Sequence, residues 1–168
     1  MPSWNQIGTA VVIAVGTLCA TQVAIAAESG AYQLVGSYTH DFTRFDFANQ
    51  KIVSGPLHGT MTVTQSSGGP FVVGESTVAV CVVYGKKSDA GMDLEAPCTQ
   101  TDTSGDKLFT LSKRNVGDTD TGGGGDGRAQ IIGGTGKYVG ITGSCTYTAD
   151  YLSDNRLVAI NTCEWQTP

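Results

Sequence analysis

Gly133-Gly134-Thr135-Gly136-Lys137-Tyr138-Val139-Gly140-Ile141-Thr142-Gly143-Ser144-Cys145-Thr146-Tyr147 is the stretch of this 168-residue chain whose reading decides the fold. Five glycines interrupt the backbone at short spacing, and an alternating pattern begins at Ser144. Glycine accepts turns that other residues resist, and alternation is the period of a half-buried strand. The segment therefore reads as a turn that feeds a strand. It does not fit a phosphate-binding loop, which needs Gly where Ile131 stands and Ser or Thr where Tyr138 stands. A dinucleotide fold would need a helix next, and a strand pattern follows instead. Gly122–Gly127 matches a calcium-binding repeat only in a single copy with Asp126 out of step, and it too reads as a turn.

Outward from this turn the chain is strand-like almost throughout. The segments 32–39, 57–65, 71–75, 77–84, 107–114, 127–132, 144–152 and 156–165 are rich in Val, Ile, Thr and aromatic residues. Clusters of Gly, Asp, Asn, Ser and Pro separate them. No window after residue 30 holds a helical apolar period. In 57–65, Leu57, Met61 and Val63 face one way while His58, Thr60, Thr62 and Thr64 face the other. In 77–84 both faces are apolar, which predicts cover on both sides, by a filled interior and by a neighbouring segment or subunit. Eight or so short antiparallel strands favour a closed barrel or a sandwich.

Residues 1–26 read as a signal peptide and 27–168 as one domain. Ile7 to Ala20 is apolar and uncharged, and Ala24-Ile25-Ala26 offers the small residues of a cleavage site. The run is short for a membrane span, so no stable span is expected after cleavage. No Lys or Arg precedes it, and Leu18 stands where a lipidated Cys19 would want a small residue. The expected location is secreted or periplasmic. Cleavage leaves Cys81, Cys98, Cys145 and Cys163, an even count that implies two disulfides with three connectivities. Register chooses among them. A hairpin of 144–152 with 156–165 centred on Asp154 sets Cys145 opposite Cys163. Cys81 and Cys98 are likewise symmetric about Asp89-Ala90, within a polar loop at 86–93. The pairs Cys81–Cys98 and Cys145–Cys163 follow. With no C-x-x-C and no histidine nearby, a zinc site is not expected. The net charge of −5, with no basic stripe, argues against nucleic acid.

Gly133, Gly134, Thr135, Gly136, Tyr138 and Gly143, with Gly140 in addition, match a Gly-Gly-[Ser/Thr]-Gly-x-[Phe/Tyr]-x-x-x-x-Gly pattern. This motif resembles that of the allene oxide cyclase and dirigent protein superfamily, where it lies at a turn between barrel strands. The resemblance implies an all-β, eight-stranded antiparallel barrel of the calycin kind, often a homo-oligomer, with an apolar lumen. In the plant families that lumen binds a fatty-acid epoxide or phenoxy radicals and steers cyclisation or coupling. No catalytic residue of those families aligns onto this chain.

The residues themselves offer weak candidates for chemistry. His58 could act as a general base from the lumen, but a threonine-rich outer face suits it better. His40-Asp41 precedes the aromatics Phe42, Phe45 and Phe47, and neighbours in a strand point to opposite sides. Burial of Glu75 or Glu164 would raise a carboxyl pKa and make an acid. Arg114 could hold a ligand anion from a strand end. Tyr147 and Tyr151 share the Cys145 face and, in the hairpin, oppose Asn161 and Leu157, pointing inward with Tyr38 and Tyr84 as further pocket candidates. No hydrolase elbow, zinc pair or cysteine-nucleophile context occurs. The expectation is a barrel that binds a small, largely apolar molecule without a cofactor, with isomerisation or cyclisation undecided. The alternative is a non-catalytic envelope or interaction barrel filled by its own side chains. An open lumen above roughly 300 Å³ with a few convergent polar groups would favour binding or catalysis, and one plugged by Phe, Tyr and Met would sink both.

Overall fold

A computed structural model describes residues 28–168, so the signal peptide and Cys19 lie outside the described residues. Nine strands run β1 (Ser29–His40), β2 (Thr43–Phe47), β3 (Gln50–Ser66), β4 (Ser76–Ser88), β5 (Gly91–Thr101), β6 (Lys107–Arg114), β7 (Gly124–Gly134), β8 (Thr142–Leu152) and β9 (Arg156–Gln166). The sheet order is β1-β9-β8-β7-β6-β5-β4-β3-β2, every neighbour antiparallel, and β1 also pairs with β3. That last pairing closes eight strands into a barrel. β2 is an extra strand that pairs with the first residues of β3, Gln50 to Ser54, before β1 takes over at Leu57. Among the described residues the one helical element is a 3-10 turn at Gly136–Tyr138.

Alternation builds the interior. Along β1, Tyr32, Leu34 and Tyr38 are buried while Val35 between them is exposed, and β9 buries Leu157, Ala159, Asn161, Cys163 and Trp165 in the same rhythm. The expected hairpin forms: Cys145 pairs with Cys163, Tyr147 with Asn161 and Tyr151 with Leu157, around a turn where Asp154 and Asn155 adopt positive φ. Cys81 likewise pairs with Cys98. Both disulfides are present, with Cα–Cα distances of 4.1 Å and 4.0 Å, and both project into the lumen. In the strand order two strands separate them on either side, so they staple opposite walls.

Several boundaries differ from the sequence expectation, each for a physical reason. Residues 86–93 form no polar loop, because cross-strand pairs such as Lys86–Asp93 keep the ladder running to a two-residue turn at Asp89-Ala90. The sequence pattern does not reveal β5, because its outward charges and Pro97 dilute the alternation, yet Met92, Leu94 and Ala96 are buried at every second place. Residues 71–75 form no strand. They make turns that tuck Phe71 beneath the barrel, where it stacks on Tyr32 at 3.7 Å between centroids and touches Tyr138 and Trp165. The glycines at 124–127 belong to β7 rather than to a turn. Val78, Val80, Val82 and Tyr84 form an exposed outer stripe on β4, and no described segment covers it.

Each bridge closes a loop of similar span, with sequence separations of 17 and 18. Removing one by a paired Cys→Ala substitution should cost about 3 kcal/mol of unfolding free energy, the loop-closure value for that length. Urea titration under oxidising conditions checks this. Peptide mapping without reductant should recover Cys81–Cys98 and Cys145–Cys163, and a Cys81–Cys145 peptide would contradict the register.

Candidate functional site

The two ends of the barrel are built differently. At the end where β1 begins, Tyr32, Phe71, Tyr138 and Trp165 fill the interior, with Ile141 and Leu108 fully buried beside them. The glycine segment supplies this closure. Gly136 has φ +54, and a Cβ there would fall 1.8 Å from an Asp106 carboxylate oxygen, so a side chain would be strained and would displace Asp106 at the bend that drives Tyr138 inward. Lys137 then reaches across the closed end, with Nζ 2.5 Å from Glu75 Oε1 and 3.0 Å from Asp102 Oδ2. The Asp102 side chain is wholly buried, and its Oδ1 accepts from the backbone N–H groups of Ser104 and Asp106. Burial opposes the charge, but these hydrogen bonds and Lys137 hold the Asp102 carboxyl below its ordinary range. Glu75, a candidate acid in the sequence, is thus spent as an ion-pair partner.

Between this end and a second aromatic group of His40, Phe42 and Tyr151, the interior keeps space and polarity. A cavity of about 80 Å³ runs inside the barrel, walled by Tyr38, Leu57, Ala96, Ala159 and both disulfides. Gln100, Thr110, Ser112, Arg114, Tyr147 and Asn161 add polar groups to the same wall. Arg114 is only 4 % exposed. Its Nη2 donates to the Asp118 carbonyl at 3.0 Å, and its guanidinium lies 5.6 Å from the Tyr151 ring centre. Nε and Nη1 have no hydrogen-bond partner, nor has Nδ2 of the buried Asn161. The Asp118 carboxylate is engaged by Lys87 instead. Burial pushes the Tyr147 hydroxyl up to about 12, against the pull of Arg114, so this wall is neutral at ordinary pH apart from the guanidinium.

The β6–β7 ladder ends at Lys113 opposite Arg128, and beyond it the segment after β6 packs on the start of β7, where Asp118 N–H donates to the Gly124 carbonyl at 2.9 Å. Outside this stretch lies a groove of about 860 Å³ that shares Leu94, Arg114 and Tyr147 with the inner cavity. Gly127 makes room here, because a Cβ would meet the Tyr147 ring at 2.3 Å. Over the top, Arg44 of β2 donates to the Thr119 carbonyl at 2.9 Å and pairs with Asp120, holding the loop after β6 in place.

Of the residues singled out from sequence, Tyr38, Arg114 and Tyr147 meet in the lumen wall. His58 is exposed on the outer face, paired across the ladder with Val80. Tyr84 also lies outside, 49 % exposed, because it follows Val78, Val80 and Val82 on the outward register of β4. His40 is buried and stacks on Phe42 at 4.2 Å, and no hydrogen bond joins it to Asp41. Burial lowers its pKa with help from Arg44 and against Asp41, so its imidazole is biased toward the neutral form. Sequence reasoning missed Gln100, Thr110 and Ser112; the inward phase of β5 and β6 was the signal that could have found them. Among the described residues no group of three or more His, Cys, Asp or Glu is placed to hold a metal ion. Comparison with protein-family models, curated proteins and solved structures finds no match for this chain.

The closed end carries a pH dependence. The lowered pKa of Asp102 contributes stability that is complete above its ordinary 3.8 and is lost as the pH falls through the folded value. Urea midpoints should therefore drop below about pH 4, an ordinary aspartate value, and Asp102→Asn should flatten that acid limb while lowering stability near neutrality. An acid limb of unchanged depth in Asp102→Asn would place the sensitivity elsewhere.

Proposed function

We propose that this protein is a small-molecule-binding barrel whose lumen takes one compact, largely apolar ligand. The supporting observation is the interior itself: aromatic side chains close the end where β1 begins, and between Tyr32 and Tyr151 a cavity remains into which buried polar groups project. A barrel of eight strands has an interior that its own side chains can fill or that holds one small ligand. At about 80 Å³ the space falls short of the 300 Å³ typical of drug-sized sites. Tyrosines and two inward disulfides take up the difference. At about 10–15 Å³ per water-sized unit, it accommodates on the order of six non-hydrogen atoms. A ligand of that size fits; a long acyl chain does not fit inside the wall as it stands.

The small volume also favours the second reading, a self-filled barrel that acts as a non-catalytic envelope or interaction module. Steered isomerisation or cyclisation has less support, since His58 lies outside the lumen and Glu75 is held by Lys137. Kinship with the allene oxide cyclase and dirigent barrels belongs to the same proposal. Closure of eight strands and the Gly133–Gly143 turn between β7 and β8 support it. The two disulfides are compatible with a non-cytoplasmic compartment. Secretion or periplasmic export by cleavage near Ala26 is the finer form of that reading.

Extraction of the protein from its native host, followed by mass spectrometry of small molecules released on denaturation, tests the function directly. A thermal-shift panel complements it. Ligands of about six to nine non-hydrogen atoms should raise Tm, since saturation at about 100 times Kd adds about 2.7 kcal/mol. C16 and C18 fatty acids should leave it unchanged. No co-purifying molecule and no shift with any compact compound would leave the self-filled barrel standing.

A further inference from the structure

We infer that the lumen ligand is an anion, a compact monocarboxylate whose head group is taken by the guanidinium of Arg114. This deepens the lumen-binding reading and rests on it. A guanidinium keeps its charge at any working pH, and a buried charge is costly unless it is paired and hydrogen-bonded. Arg114 is nine-tenths buried and more, yet none of the salt bridges among the described residues includes it. The groups around it do not neutralise it. Asp118 offers its carbonyl, while its carboxylate goes to Lys87. Tyr151 sets its ring face and its hydroxyl against the guanidinium; burial raises the pKa of that hydroxyl while Arg114 pulls it down, and neither Tyr151 nor Tyr147 supplies a negative charge.

Nε and Nη1 lie on different edges of the guanidinium, each shared with Nη2; with one Nη2 N–H given to the Asp118 carbonyl, one two-donor edge stays open to a carboxylate. Arg114 lines both the inner cavity and the outer groove, so its guanidinium stands between the two spaces. The rest of the ligand then lies along Tyr38, Leu57 and Ala159, with the unpartnered Asn161 Nδ2 as a second donor on the same cavity wall. The cavity size limits that body to a short chain or a single ring.

The test is isothermal titration calorimetry of the oxidised chain with benzoate and hexanoate against benzamide and hexanamide. These pairs match in shape and differ in charge. Carboxylates should bind at least tenfold more tightly than the amides, and Arg114→Gln should reduce that preference to less than about threefold, tenfold being 1.4 kcal/mol. The Arg114 Nε–H resonance, assigned by its loss in Arg114→Gln, should shift on addition of benzoate. Amides that bind as well as carboxylates would overturn the anion inference and leave lumen binding intact. Neither class binding to folded protein would remove both. Carboxylate binding that survives Arg114→Gln unchanged would also overturn the assignment. Should that variant fail to fold, the carboxylate–amide comparison and the Nε–H shift in the parent protein decide.

Discussion

Everything in this molecule depends on the pairing of β1 with both β9 and β3. An open sheet of eight strands would expose two edges, each a row of unpaired backbone donors and acceptors. Closure removes the edges and turns one face of every strand into an interior. The same pairing places Tyr32 opposite both Ser66 and Cys163, so the inward side chains of first, third and ninth strands converge. β2 exists because β3 is longer than β1 requires, and its first residues need another partner.

Once the barrel is closed, the contest inside it is between filling and solvating. The closed end resolves it with aromatic packing and one buried ion cluster, in which Lys137 answers two carboxylates. The interior beyond resolves it incompletely. Arg114 gives one nitrogen to a carbonyl and lies against Tyr151, and no carboxylate pairs with it among the described residues. Replacing a buried ionic group by an apolar side chain of similar volume is often neutral or stabilising, so stability alone does not call for a charge at that position. The retention of a charge there is the physical basis for reading the upper lumen as a site.

The local pattern made much of this legible. Symmetry about Asp154 and about Asp89-Ala90 located both disulfides, because antiparallel register converts equal spacing from a turn into direct opposition. The inward phase of β8 identified Tyr147 and Tyr151. What stayed hidden was nonlocal. Phe71 sits in a sequence that reads as a strand, and only the aromatic cluster beneath the barrel makes a turn there worthwhile. Tyr84 looks like pocket lining until the parity of β4 places it outside. Glu75 reads as a free acid until Lys137, 62 residues away, arrives beside it.

The sequence by itself determined the all-β class, the hairpins and their staples, since alternation, turn residues and cysteine spacing act over a few neighbouring positions. It also determined that the glycine segment is a bend and not a nucleotide loop. Tertiary structure alone decided which face became the lumen, how little volume remained in it, and that Arg114 would stand there without a counterion. Those outcomes depend on eight strands meeting around one axis, and no single strand carries that information.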